Sequence, residues 1–220
     1  MTGIIFDMDG TLLDSMGGWA GVGERYLQKH GLTPKGLFAD SLVHVGQRGF
    51  AEHVREQYGV TDTVDAVVDE VHLLMGEFYQ TVTAPREGLK DYLEALKAQG
   101  VRMCVATATA RSLAVPTLER LGLLSFFEAV FVCGELHTDK TKPLIYDTAR
   151  ASLGTALEDT WVFEDALYAA KTAKAAGYRL CAVADVHEVH QEAMSALADV
   201  YITSYAETAR LPFGEMAQSG

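Results

Sequence analysis

Two aspartates separated by one residue, Asp7 and Asp9, head the run Asp7-Met8-Asp9-Gly10-Thr11-Leu12. Paired carboxylates of this kind can divide their work, one acting as nucleophile or ligand while the other carries a proton. Further along the chain stand Thr107-Ala108-Thr109, then Asp139-Lys140-Thr141-Lys142, then Glu164-Asp165. The four groups offer two acids, a hydroxyl, a cation and two more acids. Acids gathered from separate segments repel one another unless a cation lies among them. Mg²⁺ suits such a set, because it takes a few carboxylates and keeps its remaining positions for water and phosphate. Thr107 and Lys140 then supply a donor and a positive charge for an oxyanion. Gly10 and Thr11 open a loop whose backbone N–H groups can hold phosphate oxygens.

Each group follows an apolar run. Gly3 to Phe6, Val101 to Ala106, Ala129 to Val132, Trp161 to Phe163, Leu180 to Val183 and Val200 to Thr203 read as strands. Helices are expected between them. Leu89, Leu93 and Leu96 keep i, i+4, i+7 spacing before Gly100; Arg111–Leu121, Pro143–Leu153 and Ala166–Ala176 each end at a glycine; another helix surrounds Val189–Leu197. Strands apolar on both faces, alternating with amphipathic helices, imply an α/β fold: a Rossmann-like parallel-sheet core with helices on both faces. Ligands in such sheets bind at the carboxyl ends of the strands, which is where the four groups fall. Residues 16–84 break the rhythm. Trp19–His30, Phe50–Tyr58 and Val64–Phe78 read as helices, with no convincing strand, and Pro85 marks the return. The expected organisation is a core of residues 1–15 and 85–220 and a small all-helical insertion of residues 16–84 after the first strand.

DMDGTLLDS resembles the first signature of the haloacid dehalogenase superfamily, in its phosphatase and phosphomutase branch. VATAT resembles the second signature, Lys140 the third-signature lysine, and VFEDALYAAKTAKAAG the acidic fourth signature with its helix. Lys140, Pro143 and Tyr146 keep the Lys-x-x-Pro-x-x-Tyr spacing of related sequences; Lys142, beside Pro143, is the alternate lysine. The helical insertion resembles the family's α-helical cap.

The resemblance implies a Mg²⁺-dependent phosphatase acting on a small phosphorylated metabolite. Asp7 attacks phosphorus to form an aspartyl-phosphate, and Asp9 protonates the leaving oxygen and then accepts a proton from water. Mg²⁺ is held by Asp7, by the Asp9 backbone carbonyl and by Asp165, with Glu164 as a further ligand or as support for one. Thr107 and Lys140 bind the transferring phosphoryl oxygens, beside Gly10, Thr11 and Ala108. A cap would close over the site and select the substrate. Its candidates are Trp19, His44, Gln47 and Arg48, the last two in the turn-like Gly46-Gln47-Arg48-Gly49. A sugar phosphomutase of β-phosphoglucomutase type is the alternative. A phosphonate hydrolase, which would need a cap lysine such as Lys29 or Lys35, and a phospho-signalling receiver rank below it. For Asp165, capping of the helix before Ala166 could coexist with metal binding.

Composition bounds the rest. The 220 residues carry 18 Lys+Arg against 30 Asp+Glu, a formal charge of −12, and are 49% hydrophobic, which excludes a disordered chain. A pI near 4.9 argues against nucleic-acid or anionic-membrane partners, which need a basic face. Cys104, Cys133 and Cys181 show neither metal spacing nor a disulfide framework. MTGIIFDMDG is too short and acidic for a signal peptide, and no apolar run approaches the roughly 20 residues that span a bilayer. A cytoplasmic monomer or weak dimer is expected.

Overall fold

Gly3–Phe6 forms strand β1, and all four residues are buried. Ile4, Ile5 and Phe6 have no exposure at all, so both faces of the strand are covered, as in the interior of a parallel sheet. The structure is a computed structural model describing residues 2–34, 41–81 and 83–207, the side chains of 41–46 excepted. After β1 come β2 (Leu13–Asp14), β3 (Ala84–Pro85), β4 (Arg102–Thr107), β5 (Val130–Val132), β6 (Thr160–Glu164), β7 (Arg179–Val183) and β8 (Val200–Ile202). Six of these form one sheet in the order β5-β4-β1-β6-β7-β8, parallel throughout. β1 lies between β4 and β6, with Phe6 opposite Val105 on one side and Phe163 on the other.

Helices α4 (Leu89–Ala98), α5 (Arg111–Arg120), α6 (Leu144–Leu153), α7 (Leu167–Ala175) and α8 (Gln191–Leu197) connect the strands. Ile145, Tyr146, Ala149 and Leu153 of α6 and Ala173 of α7 pack with Ile5, Cys104 and Val162 on one face of the sheet. Met194 of α8 joins Leu167, Ala170, Leu180 and Ala182 in a neighbouring cluster. On the opposite face Phe163 lies against Phe6, against Tyr92 of α4 and, nearly coplanar at 6.2 Å, against Tyr205. Each fully buried large side chain of this kind contributes about 1.5–3 kcal/mol.

The chain divides into two compact units, Met1–Asp14 with Ala84–Gly220, and Ser15–Thr83. The second contains α1 (Met16–Lys29), α2 (Ser41–Tyr58) and α3 (Val64–Thr81). Val67, Val71, Met75 and Tyr79 form the buried stripe of α3 at i+4 spacing. Gly18 of α1 lies so close to the Phe78 ring that a Cβ there would sit 2.6 Å from it. The expected turn at Gly46–Gly49 is corrected: α2 runs through it from Ser41. Glycine costs a helix about 1 kcal/mol relative to alanine, and burial of Phe50, Ala51 and Val54 just beyond outweighs that local preference. The antiparallel pair β2–β3, at the departure and return of the insertion, is not expected from sequence. Two residues per strand are too few to show an alternating pattern.

Candidate active site

Parallel pairing of β1 with β4 and β6 brings three strand ends side by side. Asp7 follows the last residue of β1, and its N–H extends the ladder to Phe163 O at 2.9 Å. Thr107 ends β4 and Glu164 ends β6. Gly10 then turns the chain with φ +78°, a left-handed conformation that glycine adopts without strain. Lys140 arrives from the loop between β5 and α6, and α6 is anchored beneath the site by buried Tyr146.

Asp7, Glu164 and Asp165 are all buried, and each can present a carboxylate oxygen within 4.8 Å of the others. At that separation each ionised pair repels by on the order of 3 kcal/mol at an effective dielectric near 20. Lys140 is 4% exposed. Its Nζ donates to Asp7 Oδ1 and, at 2.5 Å, to Glu164 Oε1. Tyr146 donates its hydroxyl to the same Glu164 oxygen at 3.1 Å. Burial works against the Lys140 ammonium, but the Asp7 and Glu164 carboxylates outweigh it and hold its pKa above the usual lysine range. Burial raises the Asp7 carboxyl, with Lys140 opposing and Glu164 and Asp9 adding, to about 7. Asp165 is pushed up by burial, then by the charges of Asp7, Glu164 and Asp185, which outweigh Lys140. Three carboxylates around one ammonium leave an excess of negative charge on hard oxygen donors, the chemistry that fits a small divalent cation.

The Asp9 carboxylate lies outside this triad. Thr109 donates its hydroxyl to Asp9 Oδ2 at 2.7 Å. Thr107 Oγ1 accepts the Thr109 N–H at 3.0 Å, so the two threonines brace one turn after β4, with half-buried Ala108 between them. Thr11 donates to Asp165 Oδ1 at 3.3 Å. The Gly10 N–H donates to Leu13 O at 2.9 Å within the turn that follows β1. Of the two candidate lysines, Lys140 is buried against the acids and Lys142 is exposed. The Asp165 side chain does not cap α7: Ala166 takes that position, and other carboxylates accept the first N–H groups.

The insertion residues find partners within their own unit. Gln47 Oε1 lies 2.7 Å from His72 Nε2, and the exposed Arg48 pairs with Asp65 at 2.7 Å. Trp19 packs inside, its indole N–H donating to Tyr79 OH at 2.8 Å. The His44 side chain and Lys35 lie outside the described residues. Sequence reasoning missed the Thr109 contact with Asp9, although Thr109 stands two residues after Thr107. It also missed the Tyr146 contact with Glu164, whose only trace is the spacing from Lys140. Among the described residues no helix is long and apolar enough to cross a membrane.

Residues 4–183 match the family model described as haloacid dehalogenase-like hydrolase. The chain belongs to that family. It is 25% identical over 177 residues to the phosphorylated carbohydrates phosphatase of Thermotoga maritima, covering 80% of this chain and 82% of that one. It is 28% identical over 214 residues to the validoxylamine A 7'-phosphate phosphatase of Streptomyces hygroscopicus subsp. limoneus, covering 92% and 93%. The crystal structure of CbbY from Rhodobacter sphaeroides in complex with phosphate shares the fold, with a TM-score of 0.82 at 22% identity, over 98% of this chain and 100% of that chain.

Proposed function

We propose that this hydrolase is a phosphoric monoester hydrolase that cleaves a small phosphorylated metabolite with Mg²⁺ through an aspartyl-phosphate. The observation that carries this reading is the buried contact of Lys140, from the loop after β5, with Asp7 and Glu164, next to Asp165, at the adjoining ends of β1 and β6. The named phosphatases among the relatives support the same reaction class.

Asp7 and Asp165 would hold the metal, with Glu164 beside them and the Asp9 backbone carbonyl as a further donor. Bound there, Mg²⁺ supplies positive charge to phosphoryl oxygens and lets the acids remain ionised together. Asp7 attacks phosphorus through a carboxylate oxygen; a P–O bond forms to Asp7 as the ester P–O bond breaks. Asp9, oriented by Thr109, gives its proton to the leaving alkoxide, which departs as the alcohol. It then takes a proton from the water that attacks the aspartyl-phosphate, which releases inorganic phosphate and regenerates Asp7. Lys140 and the Thr107 hydroxyl neutralise and orient phosphoryl oxygens, the dominant contribution in phosphoryl transfer.

The test is a phosphate-release screen over phosphorylated sugars and short phosphorylated acids, with Mg²⁺ and with EDTA, beside Asp7→Asn. Release that needs Mg²⁺ and disappears in Asp7→Asn is expected. Turnover by Asp7→Asn would refute the nucleophile assignment. Isomerisation of a sugar phosphate with little phosphate released would indicate a mutase instead.

A further inference from the structure

The pair Glu164-Asp165 runs directly into α7, whose first N–H groups have no partners inside the helix. Ala166 occupies the N-cap position and has no side-chain acceptor. The work is done by two other carboxylates. Glu164 Oε2 accepts the N–H of Asp165 at 3.1 Å and of Ala166 at 3.3 Å. The N–H of Leu167 donates to Glu188 Oε2 at 3.0 Å. Glu188 lies in the loop between β7 and α8, is 8% exposed, and also accepts the His190 N–H through Oε1 at 2.7 Å. Both its oxygens are therefore fixed. The loop is itself held down. Asp185, 4% exposed, accepts the His187 N–H at 2.8 Å and Arg86 Nη1 at 3.1 Å, while Arg86 Nη2 donates to Ala184 O.

An aspartate before a helix ordinarily spends its carboxylate on the helix's own N–H groups. Here Glu188 provides an acceptor from a distant loop, and the Asp165 carboxylate stays available at the site, where Thr11 contacts it. We propose that Glu188 is a positioning residue for Asp165: by gripping the Leu167 N–H it fixes the main chain two residues beyond and sets the Asp165 carboxylate for the cation. This rests on the Mg²⁺ reading above. A plain cap would stabilise α7 and leave cation affinity untouched. A support for a ligand typically changes metal affinity about 10–100-fold when removed.

The experiment titrates MgCl₂ into wild-type protein, Glu188→Ala, Glu188→Gln and the control Val186→Ala, which alters a side chain 85% exposed in the same loop. Mg²⁺ binding is read by calorimetry and by the Mg²⁺-dependent rise in Tm, after melts in EDTA establish that each variant is folded. Expected is a Mg²⁺ half-saturation about 10–100-fold higher for Glu188→Ala, a smaller increase for Glu188→Gln, which keeps one acceptor oxygen, and none for Val186→Ala. If folded Glu188→Ala binds Mg²⁺ as wild type does, the inference is overturned and the Mg²⁺ reading stands. If Glu188→Ala does not fold, unchanged binding by Glu188→Gln overturns it equally. Absence of Mg²⁺ binding in the wild type would remove the reading and the inference together.

Discussion

Replacing Asp7 by asparagine should stop turnover and, in the absence of metal, make the protein more stable. Burial first, then the neighbouring Glu164 and Asp9 charges, lift the Asp7 carboxyl against the pull of Lys140, from 3.8 to about 7. At about 1.4 kcal/mol for each pKa unit, ionising this group above pH 7 costs the folded, metal-free protein on the order of 4 kcal/mol. Asparagine keeps the shape and an amide oxygen for Lys140 but carries no charge. In a chain of 220 residues, one kcal/mol moves Tm by about 2–4 °C, so Asp7→Asn should melt roughly 10 °C above wild type in EDTA near pH 8. Between pH 3.8 and about 7 the folded wild type holds a proton that the unfolded chain has released. Its stability therefore falls as pH rises through that window, while the variant lacks this titration. The gap in Tm should close as pH falls toward 4. Scanning calorimetry of both proteins in EDTA across that range is the assay, and Mg²⁺ near pH 8 should raise the wild-type Tm more than the variant's. A variant that melts below wild type near pH 8, or a gap that does not change with pH, would refute the reasoning.

Three further outcomes are expected. Thr109→Val removes the donor to Asp9 Oδ2; hydrogen bonds to charged groups are worth about 1.5–3 kcal/mol, so kcat should fall about 10–100-fold with KM little changed, as steady-state kinetics will show. Lys140→Met leaves the buried acids without their ammonium, which should abolish turnover and destabilise the metal-free protein by about 3–5 kcal/mol in urea melts near pH 8. Asp199 accepts the Leu180 N–H and pairs with Lys174. Burial works against its charge, but the Lys174 and Leu180 hydrogen bonds hold its pKa below 3.8. Asp199→Ala should thus lose about 0.5–1.5 kcal/mol at neutral pH through the missing backbone acceptor; the charge-dependent part of that loss should fade as pH falls through the lowered pKa, measured by urea melts near pH 7 and pH 3.

The core of the fold is legible in the sequence because its strands are apolar on both faces and its helices end at glycines. Ile4-Ile5-Phe6 and Trp161-Val162-Phe163 could only be interior strands, and the acids following them had to emerge at one end of the sheet. Lys140 was recognisable from its spacing to Pro143 and Tyr146, not from any local pattern. Glu188 was not recognisable at all: its partner is the backbone N–H of Leu167, twenty-one residues earlier, and a backbone donor leaves no mark in composition. The α2 segment misleads for the opposite reason. Gly46 and Gly49 carry a strong local preference for turns, and packing that involves residues as far apart as Tyr26 and Phe50 overrides it. Gln47 and Arg48 are substrate candidates on side-chain type alone, and the sequence carries no sign of the contacts they make with His72 and Asp65 of α3.

The central place of β1 has a consequence for biogenesis. Its register pairs Gly3 with Arg102 on one side and with Thr160 on the other. The Ile-Ile-Phe segment therefore leaves the ribosome with neither flank available. At about 5–20 residues per second, synthesis past residue 160 leaves this sticky stretch waiting for roughly 8–30 s. The helical insertion can assemble during that interval, since residues Ser15–Thr83 form a compact unit of their own. Nascent chains arrested before β6 is exposed should thus carry an ordered helical unit attached to an N-terminal segment that chaperones must shield.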